Sequence, residues 1–191
     1  MKVIAFNGSP RRRGNTYMAL EAVLEEVEAE GIEVELVQMG CEDIRGCKAC
    51  GSCTKNKDER CVLDEDKVND WIQMVKGADG IIIGSPTYFG GMTAQTKAFV
   101  DRVGYVCRAN GNMLRRKVGA AVAVSRRAGN LNTFDEINRF FLIGEMIVPG
   151  STYWNVVNAL KLGEAAGDEE GMRTMRNLGR NVAWLVKRLR D

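Results

Sequence analysis

Histidine is absent from this 191-residue chain. That removes a Ser-His-Asp or Cys-His catalytic unit and any histidine-ligated metal. Acid–base or redox work falls to cysteine, tyrosine, lysine, carboxylates or a bound cofactor. Long apolar runs are also missing. No stretch approaches the ~20 residues that cross a bilayer, and the opening Met1-Lys2-Val3-Ile4 has no signal-peptide core. There is little charge imbalance: the formal net charge is +2, whereas dedicated nucleic-acid binders carry a clear basic excess. A cytoplasmic protein with neither membrane nor nucleic-acid partners is expected. In that compartment the six cysteines are not expected to pair as disulfides.

What is present suits one soluble domain over residues 1–191. Apolar residues make up 45% and charged residues 27%. Short apolar runs alternate with amphipathic segments. Strands are expected at residues 3–6, 32–39, 80–85, 117–125 and 146–154, and helices at 16–30, 64–76, 93–103, 131–145 and 169–190. Ile81-Ile82-Ile83 and Val118-Gly119-Ala120-Ala121-Val122-Ala123-Val124 are apolar throughout. That is what burial on both faces of a parallel sheet demands. The alternation predicts an α/β doubly wound sheet, with ligands bound beyond the carboxyl ends of its strands.

Three loops follow such ends. The first, Gly8-Ser9-Pro10-Arg11-Arg12-Arg13-Gly14-Asn15-Thr16, joins a strand to a helix. Gly8 and Gly14 permit tight geometry, short polar side chains supply donors, and the free N–H groups opening the helix make an anion site. Asn15 or Thr16 can cap that helix, and Arg11 can add charge-assisted bonds. The loop ends in neither Gly-Lys-Ser/Thr nor a GxGxxG pattern. The plain alternative is a capped turn with solvated arginines. The second loop, Ser85-Pro86-Thr87-Tyr88-Phe89-Gly90-Gly91-Met92, pairs aromatics suited to a planar ring with glycines that let the backbone approach it. The third, Ser125-Arg126-Arg127-Ala128-Gly129-Asn130, is either a flank for that ring or an ordinary connection.

"GSPRRRGNT" after the first strand, "GSPTYFGG" after the third and the following "KAFVDR" together resemble the flavodoxin-like FMN proteins of the NAD(P)H-dependent FMN reductase type. The likeness spans essentially the whole chain. It implies a three-layer sandwich with a five-stranded parallel sheet in the order 2-1-3-4-5. It also implies FMN as cofactor. Ser9, Arg11, Asn15 and Thr16 would hold its phosphate. Pro86, Thr87, Tyr88, Phe89 and Gly90 would lie along its ring, with Ser125 and Gly129 beside it. Arg12 and Arg13 would face solvent.

Residues 40–60 have no clear period and are too long for a simple connection. Cysteine-rich residues 41–61 form an insertion after the second strand, with Cys47-x2-Cys50-x2-Cys53-x7-Cys61 as a compact set. Thiolates at such spacing suit an iron–sulfur cluster, and Lys48, Lys55, Lys57 and Arg60 can offset its negative charge. Four-cysteine zinc and a thiol–disulfide relay are the competing chemistries. Cys41 is an alternative fourth ligand, and Cys107 lies outside the set. The set also resembles the signature of the iron–sulfur flavoproteins, a branch of the same fold that holds a 4Fe–4S cluster near the flavin. Here the x7 gap is at the long end of that pattern, and Val62 follows Cys61 where ferredoxin motifs have proline.

The resemblance implies an FMN-dependent oxidoreductase that links a one-electron carrier such as ferredoxin to a small acceptor, in a homo-oligomer that brings the insertion near a flavin. A cluster-free NAD(P)H-dependent FMN or quinone reductase is the second expectation. A zinc-stabilised flavin-binding sensor is the third. Asp64, Glu65 and Asp66 are expected at a helix N-terminus, and Asp101-Arg102 as a surface pair without chemistry.

Overall fold

The computed structural model describes residues 1–190. Five parallel strands form one sheet in the order β2-β1-β3-β4-β5. They are β1 (Lys2–Asn7), β2 (Glu33–Gln38), β3 (Gly80–Pro86), β4 (Val118–Ser125) and β5 (Val156–Asn158). Every residue of β4 is buried, as are Gly80 to Ser85 of β3. Edge strand β2 has an exposed first residue and is otherwise half-buried.

Helices cover both faces, because neighbouring residues of a strand point to opposite sides. Val3 and Ala5 of β1 pack towards α1 (Asn15–Ala29) and α6 (Glu169–Arg188), through Leu20, Val23, Leu178 and Val182. Ile4 and Phe6 pack the other way, against α3 (Val68–Gly77), α4 (Ala94–Ala109) and α5 (Asn130–Ile143). The Phe6 ring lies 4.6 Å from Phe99 and 6.4 Å from Trp71. Of the other tryptophans, Trp154 and Trp184 are exposed. A short α2 (Ser52–Asn56) sits inside the cysteine segment, where no helix is expected from the sequence.

The fifth strand corrects the sequence reading. Residues 146–154 touch the sheet at one point, where Ile147 bridges Val118. Pro149 lacks an N–H and cannot continue the ladder, so the chain leaves the edge. It returns as the three-residue β5, with Val156 opposite Ala123. The loop at the carboxyl end of β5 therefore begins at Ala159 and joins the site.

Candidate functional site

The three loops meet above the carboxyl ends of β1, β3 and β4. Their junction is tied by backbone bonds. Gly8 N–H donates to Gly84 O at 2.7 Å, and Thr87 N–H donates to Val124 O at 2.7 Å. The Thr93 hydroxyl donates to Gly8 O at 2.9 Å. Gly8 is required there, since a Cβ would lie 1.9 Å from Thr96 Oγ1.

The first loop is shaped by its own side chains. Ser9 N–H donates to Asn7 Oδ1 at 3.0 Å, and Arg11 N–H donates to Ser9 Oγ at 3.2 Å. Helix α1 then starts after Gly14, and no side chain caps it. The expected cap from Asn15 or Thr16 is not formed, because Asn15 is engaged elsewhere. Its Nδ2 donates to Lys161 O at 2.8 Å, and its Oδ1 accepts from Gly163 N–H at 3.0 Å and Ala165 N–H at 3.2 Å. The first-turn amides of α1 are thus left without a side-chain acceptor, at the positive end of the helix dipole.

These amides face a cleft of about 180 Å³. Ser9, Arg11, Asn15 and Thr16 line one side, and Pro86, Thr87 and Tyr88 the other. Ser125 lies on the floor with Val124. Eight of the residues expected at the site therefore share one cleft. Arg126 of the third loop, with Ala159 and Leu160, completes it; Ala159 and Leu160 were not expected. No carboxylate is among the lining residues, and two arginines are. Sharing Arg11 and Leu160 with this cleft, a wider hollow of about 690 Å³ is bounded by Arg12, Arg13, Lys161 and Leu162.

Phe89, Gly90 and Gly129 stand beside the cleft. Tyr88 and Gly91 exchange two backbone hydrogen bonds, at 2.9 and 3.1 Å. Between them Phe89 (φ 50°) and Gly90 (φ 82°) are both left-handed, as the tip of a tight hairpin requires. The Phe89 side chain is fully exposed and Tyr88 is half exposed. Gly129 packs under this tip, where a Cβ would lie 3.5 Å from Gly90 Cα. The turn is braced from α5: Thr133 Oγ1 donates to Thr87 Oγ1 at 3.0 Å, and Met92 N–H donates to Glu136 Oε2 at 2.9 Å.

The thiols lie on the other segment of interest. Cys41 and Cys50 are exposed, Cys47, Cys53 and Cys61 are half-buried, and Cys107 is buried. Left-handed Ala49 (φ 53°) and Gly51 (φ 72°) fold residues 47–53 back on themselves. Turns of this hand present amides to anions and to iron–sulfur centres, and Ala49 N–H already points at Cys47 Sγ at 3.4 Å. A hydrogen bond with the Ser52 hydroxyl lowers the Cys50 thiol below its ordinary pKa. Among the described residues no three cysteine or carboxylate side chains converge on a metal position. The donor set and the turn suit a thiolate-ligated group.

One expectation about charged residues is corrected here. Arg102 is fully buried, not part of a surface pair; Asp101 instead meets Lys97, at 2.6 Å. Asp66 lies before α3 and forms a buried ion pair with Arg102, while also accepting from Val68 N–H at 3.1 Å. Burial opposes the arginine's charge, but hydrogen bonds to Asp66 and Cys61 outweigh it and raise its pKa.

Comparison with known proteins agrees with this architecture. The family model of NADPH-dependent FMN reductases matches residues 1–161. An iron–sulfur flavoprotein of Methanocaldococcus jannaschii is 39% identical across 98% of both chains. One from Methanosarcina thermophila is 34% identical across the full length of both. Among solved structures, RosB with a bound formylriboflavin-phosphate intermediate superposes on the whole chain, covering 80% of its own, with a TM-score of 0.80 at 18% identity. An archaeal flavodoxin reaches a TM-score of 0.65 at 19% identity, over 98% of this chain and 99% of its own. Among the described residues no helix is long and apolar enough to cross a membrane. The chain belongs to the NADPH-dependent FMN reductase family, in its iron–sulfur flavoprotein branch, and is a flavin-dependent oxidoreductase.

Proposed function

We propose that the cleft takes FMN by its monophosphate, that Cys47, Cys50, Cys53 and Cys61 hold a 4Fe–4S cluster, and that the chain carries electrons between a one-electron carrier such as ferredoxin and a small acceptor. The uncapped start of α1 carries the reading. Helix amides, Ser9, Thr16 and Arg11 surround a cleft lined by no carboxylate. A phosphate dianion satisfies donors that the chain leaves open. The cleft's 180 Å³ admits the phosphate and sugar-alcohol end of a mononucleotide, and the planar ring lies outside it against Tyr88, Phe89 and Gly90. Asn15 contributes through its main chain and by fixing the 161–165 loop; its side chain is already bonded.

FMN, when bound, supplies a centre that takes two electrons and returns them singly, and a cluster relays one at a time. The chain's own residues bind, orient and shield. Tyr88 and Phe89 cover a ring face from water, Pro86 and Thr87 fix the strand exit, and Arg126 offers donors on the β4 side beside Ser125, whose hydroxyl donates to Asn158 Oδ1. No acid–base side chain is assigned. Exposed Tyr88, Phe89, Tyr105, Leu142 and Ile143 favour a homo-oligomer that covers them.

A second reading is a cluster-free NAD(P)H-dependent FMN or quinone reductase. It is favoured by one observation, the match of residues 1–161 to the family model of NADPH-dependent FMN reductases. Anaerobic purification separates the two. The first reading expects about four irons per chain and absorbance beyond the flavin bands, with flavin bleached by reduced ferredoxin. Iron-free protein whose flavin is bleached rapidly by NADPH would establish the second, and zinc in place of iron would reject the cluster.

A further inference from the structure

Arg102 sits on α4, three residues after Phe99 and four before Val106, on the helix face that builds the core. Its side chain has no exposure. A guanidinium in such a place must find partners, and it finds them all in one segment. Nη1 pairs with Asp66 and donates to Arg45 O at 3.3 Å. Nη2 donates to Leu63 O at 2.7 Å. Nε donates to Cys61 Sγ at 3.4 Å.

Arg45 lies just before Cys47, and Leu63 just after Cys61. One buried side chain thus ties both ends of the thiol loop to the core. Cys61 is fixed at three points. Its N–H donates to Asn69 Oδ1 at 2.7 Å, its carbonyl accepts from Asn69 Nδ2 at 2.9 Å, and its sulfur takes the Arg102 contact. Asn69 is itself buried. Cys41, by contrast, is exposed. Cys53 and Cys61 both pack against the core, and of the four thiols Cys61 is the one bonded to a fully buried side chain.

We infer that Arg102 is a positioning residue for the thiol-ligated centre: it presets the Cys61 sulfur and, by donating Nε–H to it, raises the reduction potential of the cluster held there. This rests on the cluster reading above. Donors to ligand sulfur draw electron density from the iron and favour the reduced state; the paired Asp66 carboxylate offsets the guanidinium charge, so the effect lies in the Nε–H bond to sulfur.

Potentiometric titration of the reconstituted holoprotein, read by absorbance and electron paramagnetic resonance, tests it. Arg102→Lys keeps a cation beside Asp66 and removes the planar fork that reaches sulfur. Its cluster should titrate at a more negative potential than wild type with iron content retained. Arg102→Gln combined with Asp66→Asn, which removes both members of the buried pair and the donor to sulfur, should shift the same way. Unchanged potentials in iron-replete variants overturn the inference. Variants that fail to fold leave the wild type decisive. With guanidino-¹⁵N arginine, pulsed resonance of the reduced cluster should show one coupled ¹⁵N nucleus, and its absence overturns the inference alone. Wild type that takes up no iron under anaerobic reconstitution removes the cluster reading and this inference together.

Discussion

Phe89 breaks a local rule. A left-handed backbone angle costs a bulky residue roughly 1–3 kcal/mol, and the ring gains nothing back in the isolated chain, where it is fully exposed. Asparagine suits that first turn position. Phe89→Asn should therefore stabilise the flavin-free protein by about 1 kcal/mol in denaturant melts, while weakening FMN retention. A variant that loses stability shows that the ring is already packed. Arg11→Ala with Thr16→Ala should weaken FMN at least about tenfold by fluorescence titration, since bonds to a charged group contribute roughly 1.5–3 kcal/mol each. At this scale the sequence was legible where loop chemistry follows a strand end, as with Ser9, Thr16 and Thr87. Arg102 was misread because its neighbour Asp101 suggests a surface pair. Yet the spacing from Phe99 to Val106 already placed it on the apolar stripe. Ala159 and Leu160 have no chemical signature and depend on tertiary placement.

At the scale of elements, Asp79 closes the end of the sheet opposite the cleft. Its Oδ2 accepts from Lys2 N–H at 2.8 Å, and its Oδ1 takes Arg190 of the last turn at 2.6 Å. Burial raises this carboxyl's pKa, but the Lys2 amide and Arg190 more than reverse that, so it lies below its ordinary value. A depressed carboxylate stabilises the fold fully above its unfolded pKa, near 3.8, and loses that contribution as pH falls through the lower folded value. Asp79→Asn should lower the melting temperature at pH 7. The difference from wild type should shrink below about pH 4, as thermal melts across pH would record; a difference independent of pH contradicts the linkage. Element order was readable because Ile81 to Ile83 and the β4 run are apolar on both faces. The fifth strand was not. Val148 extends an apolar run, but Pro149 ends the pairing, and three residues carry too little period to mark β5. Misplacing it hid the 159–163 loop from the site. Helix α2, five residues long, is likewise too short to show a pattern.

Across the whole molecule, the thiols divide by burial. Cys107 lies on the core-facing side of α4, and burial pushes its thiol up to about 12. Its thiolate is scarce at pH 8, so alkylation of iron-free folded protein should label the other five cysteines and spare Cys107 until denaturation, as peptide mass spectrometry would show. Early labelling of Cys107 would mean that α4 opens from the sheet. The same division separates two roles within one domain. The sheet's carboxyl edge presents an electropositive cleft with open amides, while the insertion after β2 offers soft ligands hung from a buried cation. Both depend on a sheet order that places β1 and β3 side by side, so that Gly8 and Gly84 can meet.

The central claim is that open amides at the start of α1 hold a monophosphate. Parallel titrations of the flavin-free protein with FMN and with riboflavin test it most directly, since the two ligands differ only in that group. FMN should bind roughly a hundredfold or more tightly than riboflavin, given several charge-assisted bonds to phosphate. Equal affinity for the two, or no uptake of FMN, would contradict it.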